Sequence, residues 1–180
     1  MAQKGALRLE LPVVASALLF ASIYLAWQAT HGGVETHHLL ARRDLPGFSN
    51  WWGLAIVPLI AWLAAWSVQR RSTADSRELG KAAAGFAGAI LAGIALCVAY
   101  LVDHTGNAPF YVLLALIASG FIFPIYRPEY YLGLVIGESL SFGLVLPAIV
   151  SLVPMGISAA FHLLVKPALI WTMRRVRLSR

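Results

Sequence analysis

Residues 70–103 read RRSTADSRELGKAAAGFAGAILAGIALCVAYLVD, a basic segment followed by a long apolar run. Arg70, Arg71, Arg77 and Lys81 crowd its first part, an unbroken apolar run fills 82–102, and Asp103 closes it. Twenty-one helical residues extend about 32 Å at ~1.5 Å each, close to the ~30 Å hydrocarbon core of a bilayer. A water-soluble helix needs a polar face, and this run has none. Working outward, five more runs have the same character, at about 11–29, 51–68, 110–126, 130–152 and 155–173. The expected fold is all-α: a polytopic integral membrane protein, one embedded domain over 1–180, with six transmembrane helices in a bundle.

The 14 Lys and Arg residues orient that bundle. With six crossings, Lys4 and Arg8, the four basic residues at 70–81, Arg127, and Arg174, Arg175, Arg177 and Arg180 all face one side. Arg42 and Arg43 face the other, and Lys166 lies within a segment. Short cytoplasmic loops concentrate Lys and Arg, so both termini are expected in the cytoplasm. Trp27, Trp51, Trp52, Tyr100 and Tyr111 fall at the expected outer ends, and Trp66, Tyr126, Tyr130, Tyr131 and Trp171 at the inner ends. Aromatic belts of this kind mark headgroup level.

Composition excludes other classes. The 180 residues are 59% hydrophobic, 12% charged, and have a mean hydropathy of +0.75, which leaves no polar surface for a separate soluble domain. The net charge of +6 clusters at membrane ends rather than along a soluble face, so no nucleic-acid partner is expected. Cys97 is the single cysteine, so a disulfide or CxxC site within the chain is ruled out. The run at 11–29 exceeds a signal h-region and lacks an A-x-A site, so it reads as an uncleaved first helix. Arg-over-Lys and Ala-rich usage points to a bacterial inner membrane as the location.

Small residues recur at i+4 steps: Gly85, Ala89, Gly93 and Cys97 in the third run, and Gly133, Gly137 and Ser141 in the fifth. Such stripes let backbones approach closely, within one bundle, in a homo-oligomer or against a membrane protein partner.

Two constellations carry candidate chemistry. His31, His37 and His38 lie in the first outer loop, with Asp103 and His104 in the second. Imidazole and carboxylate ligands suit a divalent metal such as zinc or copper, and the same groups can perform acid–base work. Their spacing matches no ligand signature, and interfacial residues satisfied by water are the alternative. The second constellation is Glu138, Lys166 and His162. A tight turn at Pro154-Met155-Gly156 would make the fifth and sixth runs an antiparallel hairpin. Glu138 and Lys166 would then meet about 12 Å deep, with His162 one turn away leading toward the outer histidines. An ionisable residue at such depth expects a partner and suggests function, the alternative being a pair that fixes the hairpin's register.

Three functions stay open. The leading one is a small transporter or channel-like protein for a proton, metal ion or small solute. The second is a membrane enzyme acting on a lipid or isoprenoid-like substrate at the outer face through its His and Asp residues. The third is a non-catalytic partner subunit.

Overall fold

The computed structural model describes residues 9–38, 44, 47–73, 75–103 and 107–178. The described residues are mostly helical, with one short hairpin among them. Helix α1 (Glu10–Thr30) is followed by strands β1 (Thr36–His38) and β2 (Gly47–Ser49). A 3-10 turn at Asn50–Trp52 leads into α2 (Gly53–Ser72), then α3 (Arg77–Val102), α4 (Asn107–Ile122) and α5 (Pro128–Phe142). A final run comprises α6 (Val145–Val150), α7 (Leu152–Ala160), a π turn at Phe161–Val165 and α8 (Lys166–Leu178).

Four stretches are long and apolar enough to cross a membrane: Glu10–Thr30, Asn50–Ser72, Arg77–Val102 and Val145–Arg175. Their outward faces carry large apolar side chains, among them Leu19 and Ile23 on α1 and Leu91 and Leu101 on α3. Apolar surface of this extent marks a membrane protein. The core lies inside that shell. Ala17, Ala21 and Leu25 of α1 meet Val57, Ile60 and Ala61 of α2, Leu132 and Val135 of α5, and Leu144 and Ala148 beyond it.

Helix α5 is the central rod. At 15 residues it is about 22 Å long, too short to span lipid alone, but it is surrounded by protein and eight of its residues are buried. It runs parallel to α3. Gly133 abuts the Phe86 carbonyl and Ala89, Gly137 abuts Ile90 and Gly93, and the Tyr100 and Phe142 rings meet at 5.0 Å. The two small-residue stripes therefore face each other within one bundle.

The end of α5 departs from the sequence expectation. The fifth helix stops at Phe142, and the chain reverses at Gly143, not at Pro154-Met155-Gly156. Gly143 adopts φ +75, a region hostile to a side chain. The Asn50 side chain packs where a Cβ at 143 would sit. Its Oδ1 accepts from the backbone N–H groups of Leu144 (3.1 Å) and Val145 (3.4 Å), and its Nδ2 donates to Gln28 Oε1 (3.2 Å). Asn50 thus caps the following helix from a distant position in the chain. Pro154 only interrupts the helix near Ser151, because it has no N–H for the Val150 carbonyl. The π turn immediately precedes Pro167, whose ring would otherwise crowd the Leu163 carbonyl.

Asn50→Ala strands two buried donors and the Gln28 acceptor, at about 1–3 kcal/mol for each group left unpaired. The expected result is unfolding at a lower SDS fraction in mixed micelles. An unchanged midpoint would show that the cap contributes nothing.

Two ends of the bundle can now be named. Gln28, Asn50, Val102 and Gly143 lie at the Asn50 end. Leu9, Arg71, Arg77 and Pro128 lie at the Arg71 end, where the Leu9 N–H donates to Gln69 Oε1 at 3.2 Å.

Candidate functional site

Glu138 is 4% exposed, and among the described residues no cation lies within ion-pair distance of it. Its place follows from the close approach of α3 and α5. The Glu138 N–H sits where a Cβ on Gly93 would fall, and its carbonyl accepts from Cys97 Sγ at 3.3 Å. Ser151, at the α6–α7 junction, brings its hydroxyl against the Glu138 carboxyl without a well-formed hydrogen bond. Ser141, one turn along the same face of α5, has a buried hydroxyl that is likewise unpartnered.

A polar line runs beside this carboxyl. Tyr24 Oη donates to the Ser139 carbonyl at 2.9 Å, Gln28 Nε2 donates to Tyr24 Oη at 3.4 Å, and Asn50 joins Gln28 at the Asn50 end. Gln28, Asn50, Ser139 and Ser151 are all buried. The polar interior of the bundle thus gathers around the half of α5 nearer the Asn50 end.

The expected track Glu138–Lys166–His162 does not form. Because the chain turns at Gly143, Ser151 stands opposite Glu138, and Lys166 follows fifteen residues later, about 22 Å further along the helix. His162, expected on the side of the loop histidines, lies instead at the opposite end of the bundle from His31. Its Nε2 lies 3.1 Å from the Gly120 carbonyl and its ring 6.0 Å from that of Tyr126, at the Arg71 end. His162 and Lys166 do share a face, lining one groove with Tyr126 and Arg127.

The histidines at the other end are occupied separately. His31 closes α1, with Nδ1 2.9 Å from the Trp27 carbonyl and its ring stacked on Trp27 at 5.0 Å. His37 lies 3.3 Å from Glu35, and His38 pairs in the ladder with Gly47. Asp103 accepts the Ala108 N–H at 2.7 Å and so caps α4. His104 lies outside the described residues. Among the described residues, no three His, Cys, Asp or Glu side chains gather as a metal site.

Comparison with known protein families, curated proteins and solved structures finds no match for this chain. The chemistry must therefore be read from the geometry alone.

Two features escaped the sequence reading. The first is an ion network at the Arg71 end. Arg71 Nη2 binds both Glu129 oxygens at 2.7 and 2.8 Å, Lys81 binds Glu78 at 2.7 Å, and Arg127 reaches Glu78 at 3.5 Å. The basic cluster at 70–81 was legible, but its pairing with Glu129 across 58 positions was not. The second is a groove of about 670 Å³ beside α3 and α4. Gly85, Gly88, Ala89 and Ala92 hollow it, and Glu78, Lys81 and Arg127 stand among its polar lining. The one available signal was a second line of small residues on α3, offset from the packing stripe.

A buried carboxyl with one hydroxyl against it and another a turn along the same helix can take up a proton or hold a small cation. It cannot remain an unpartnered anion cheaply, since charge in hydrocarbon costs several kcal/mol.

Proposed function

We propose that this chain is a small multi-pass membrane transporter or channel-like protein, and that Glu138 carries a proton, or a small cation exchanged for one, through the bundle. The observation that supports this reading is the burial of Glu138 on the central helix without a cation among the described residues, the Ser151 hydroxyl lying against its carboxyl and the unpartnered Ser141 hydroxyl one turn along α5. Intramembrane ionisable groups of this kind mark ion and proton paths. Lys166 drops out of the path, and His162 belongs to its far end. The reading includes six crossings, with the Arg71 end and both termini in the cytoplasm, in a bacterial inner membrane.

Glu138→Gln keeps shape and hydrogen bonding but can neither ionise nor release a proton. In proteoliposomes carrying a pH-sensitive dye, the wild type is expected to pass protons or cations, and the variant to lose at least tenfold of that flux while unfolding at the same SDS fraction. Equal flux from the two proteins would end the proposal.

The groove along α3 favours a second reading, in which the chain handles a lipid or isoprenoid-like molecule. Its apolar floor and charged residues suit an amphiphile. That site lies at the Arg71 end, away from the His and Asp residues of the outer loops.

A further inference from the structure

We propose that the groove between the α4–α5 turn and the final helix binds the phosphate headgroup of an anionic phospholipid. The groove has a volume of about 610 Å³. Arg127 faces it from the turn, and Lys166 and Arg174 face it from α8, with His162 one turn before Lys166. Tyr126 and Trp171 supply the aromatic walls.

Charge complementarity selects the occupant. Three permanent cations line the groove and no carboxylate does. Among the described residues, Lys166 and Arg174 have no acidic partner. Arg127 shares the single carboxylate of Glu78 with two other cations: Lys81 takes Oε1 at 2.7 Å, while Arg127 and Arg71 approach Oε2 at 3.5 and 3.8 Å. Three cations around one concavity repel each other unless an anion enters. Lys166 and Arg174 lie eight residues apart, about two turns along the helix, and both line the groove.

Depth selects a lipid over a soluble anion. The groove opens where α4 ends, and its lining mixes these cations with Ile122 and Ile170. Exposed Leu163, Leu164 and Leu169 continue the apolar surface along the final helix, where acyl chains would lie. Tyr and Trp belong at headgroup level. Basic pockets between helices on the cytoplasmic side recognise anionic headgroups. This inference is independent of the role given to Glu138.

The test is native mass spectrometry of the delipidated full-length protein, offered equal amounts of phosphatidylglycerol and phosphatidylcholine. The wild type is expected to retain phosphatidylglycerol at least tenfold over phosphatidylcholine. Lys166→Gln with Arg174→Gln should remove most or all of that preference, each charge contributing up to about fivefold, whereas Lys166→Arg should keep it. Arg70→Gln serves as the control, because Arg70 lies at the same end of the bundle, stacks on Trp66 at 3.9 Å, and neither residue lines the groove. A wild type without preference overturns the proposal, as does a double variant that binds phosphatidylglycerol like the wild type. Displacement of the lipid by millimolar inorganic phosphate would reassign the groove to a soluble anion and also overturn it.

Discussion

Replacing Arg71 by leucine is expected to destabilise the bundle by about 3–5 kcal/mol, the usual loss when one member of a buried ion pair is removed. Glu129 is 4% exposed, and among the described residues Arg71 is the cation that holds both its oxygens. Without the guanidinium, the carboxylate faces the α2–α3–α5 junction unpaired. Three helix ends meet there: Arg71 closes α2, Glu78 and Lys81 open α3, and Arg127 and Glu129 open α5. The loss is read as a lower SDS fraction at the unfolding midpoint. The double variant Arg71→Leu with Glu129→Leu should recover most of it, because a buried pair replaced by apolar side chains is often neutral. If Arg71→Leu alone unfolds like the wild type, the pair contributes nothing and the network is a surface feature. A double variant worse than the single one would assign Arg71 a packing role instead.

What the sequence revealed follows from the range of each interaction. The first three runs are set by local composition. The expected spans 11–29, 51–68 and 82–102 all lie within observed helices, which extend them into the charged flanks. The small-residue stripes were legible because i+4 spacing is itself a local signal, and Gly93 against Gly137 is where two such signals meet. The final hairpin was misread because its turn is not local. Pro154-Met155-Gly156 has turn chemistry but sits inside a helix, while Gly143 lies in an apolar run. The element that turns the chain there is Asn50, 94 positions before Leu144. The pairing of Glu138 with Lys166 failed with that turn, since moving the reversal from 154 to 143 slides one helix past the other. His31, His37 and His38 shared a loop in sequence, but His31 closes α1 while His37 and His38 belong to strand β1.

Adding one methyl group at Gly93 is expected to damage the protein more than the same change five residues earlier. A Cβ on Gly93 would lie 2.8 Å from the Glu138 nitrogen and 2.9 Å from the Gly137 carbonyl carbon. Both are backbone atoms of α5, so relief requires moving a whole helix. Overpacking of this kind costs about 1–3 kcal/mol, and more where backbone must shift. A Cβ on Gly88 meets nothing within 4 Å. Gly88→Ala should therefore leave stability unchanged or raise it by up to ~1 kcal/mol through helix propensity. The contrast separates close packing from helix formation, since both glycines lie inside α3. It also reaches the candidate site, because the atom that Gly93→Ala pushes on belongs to Glu138. Displacing α5 moves that carboxyl relative to Ser151 and breaks the Cys97–Glu138 contact. Gly93→Ala should lower both the SDS midpoint and the flux, while Gly88→Ala leaves flux intact. Equal midpoints for the two variants would mean that α3 and α5 do not touch as closely as the glycine stripes require, and the burial of Glu138 would lose its support.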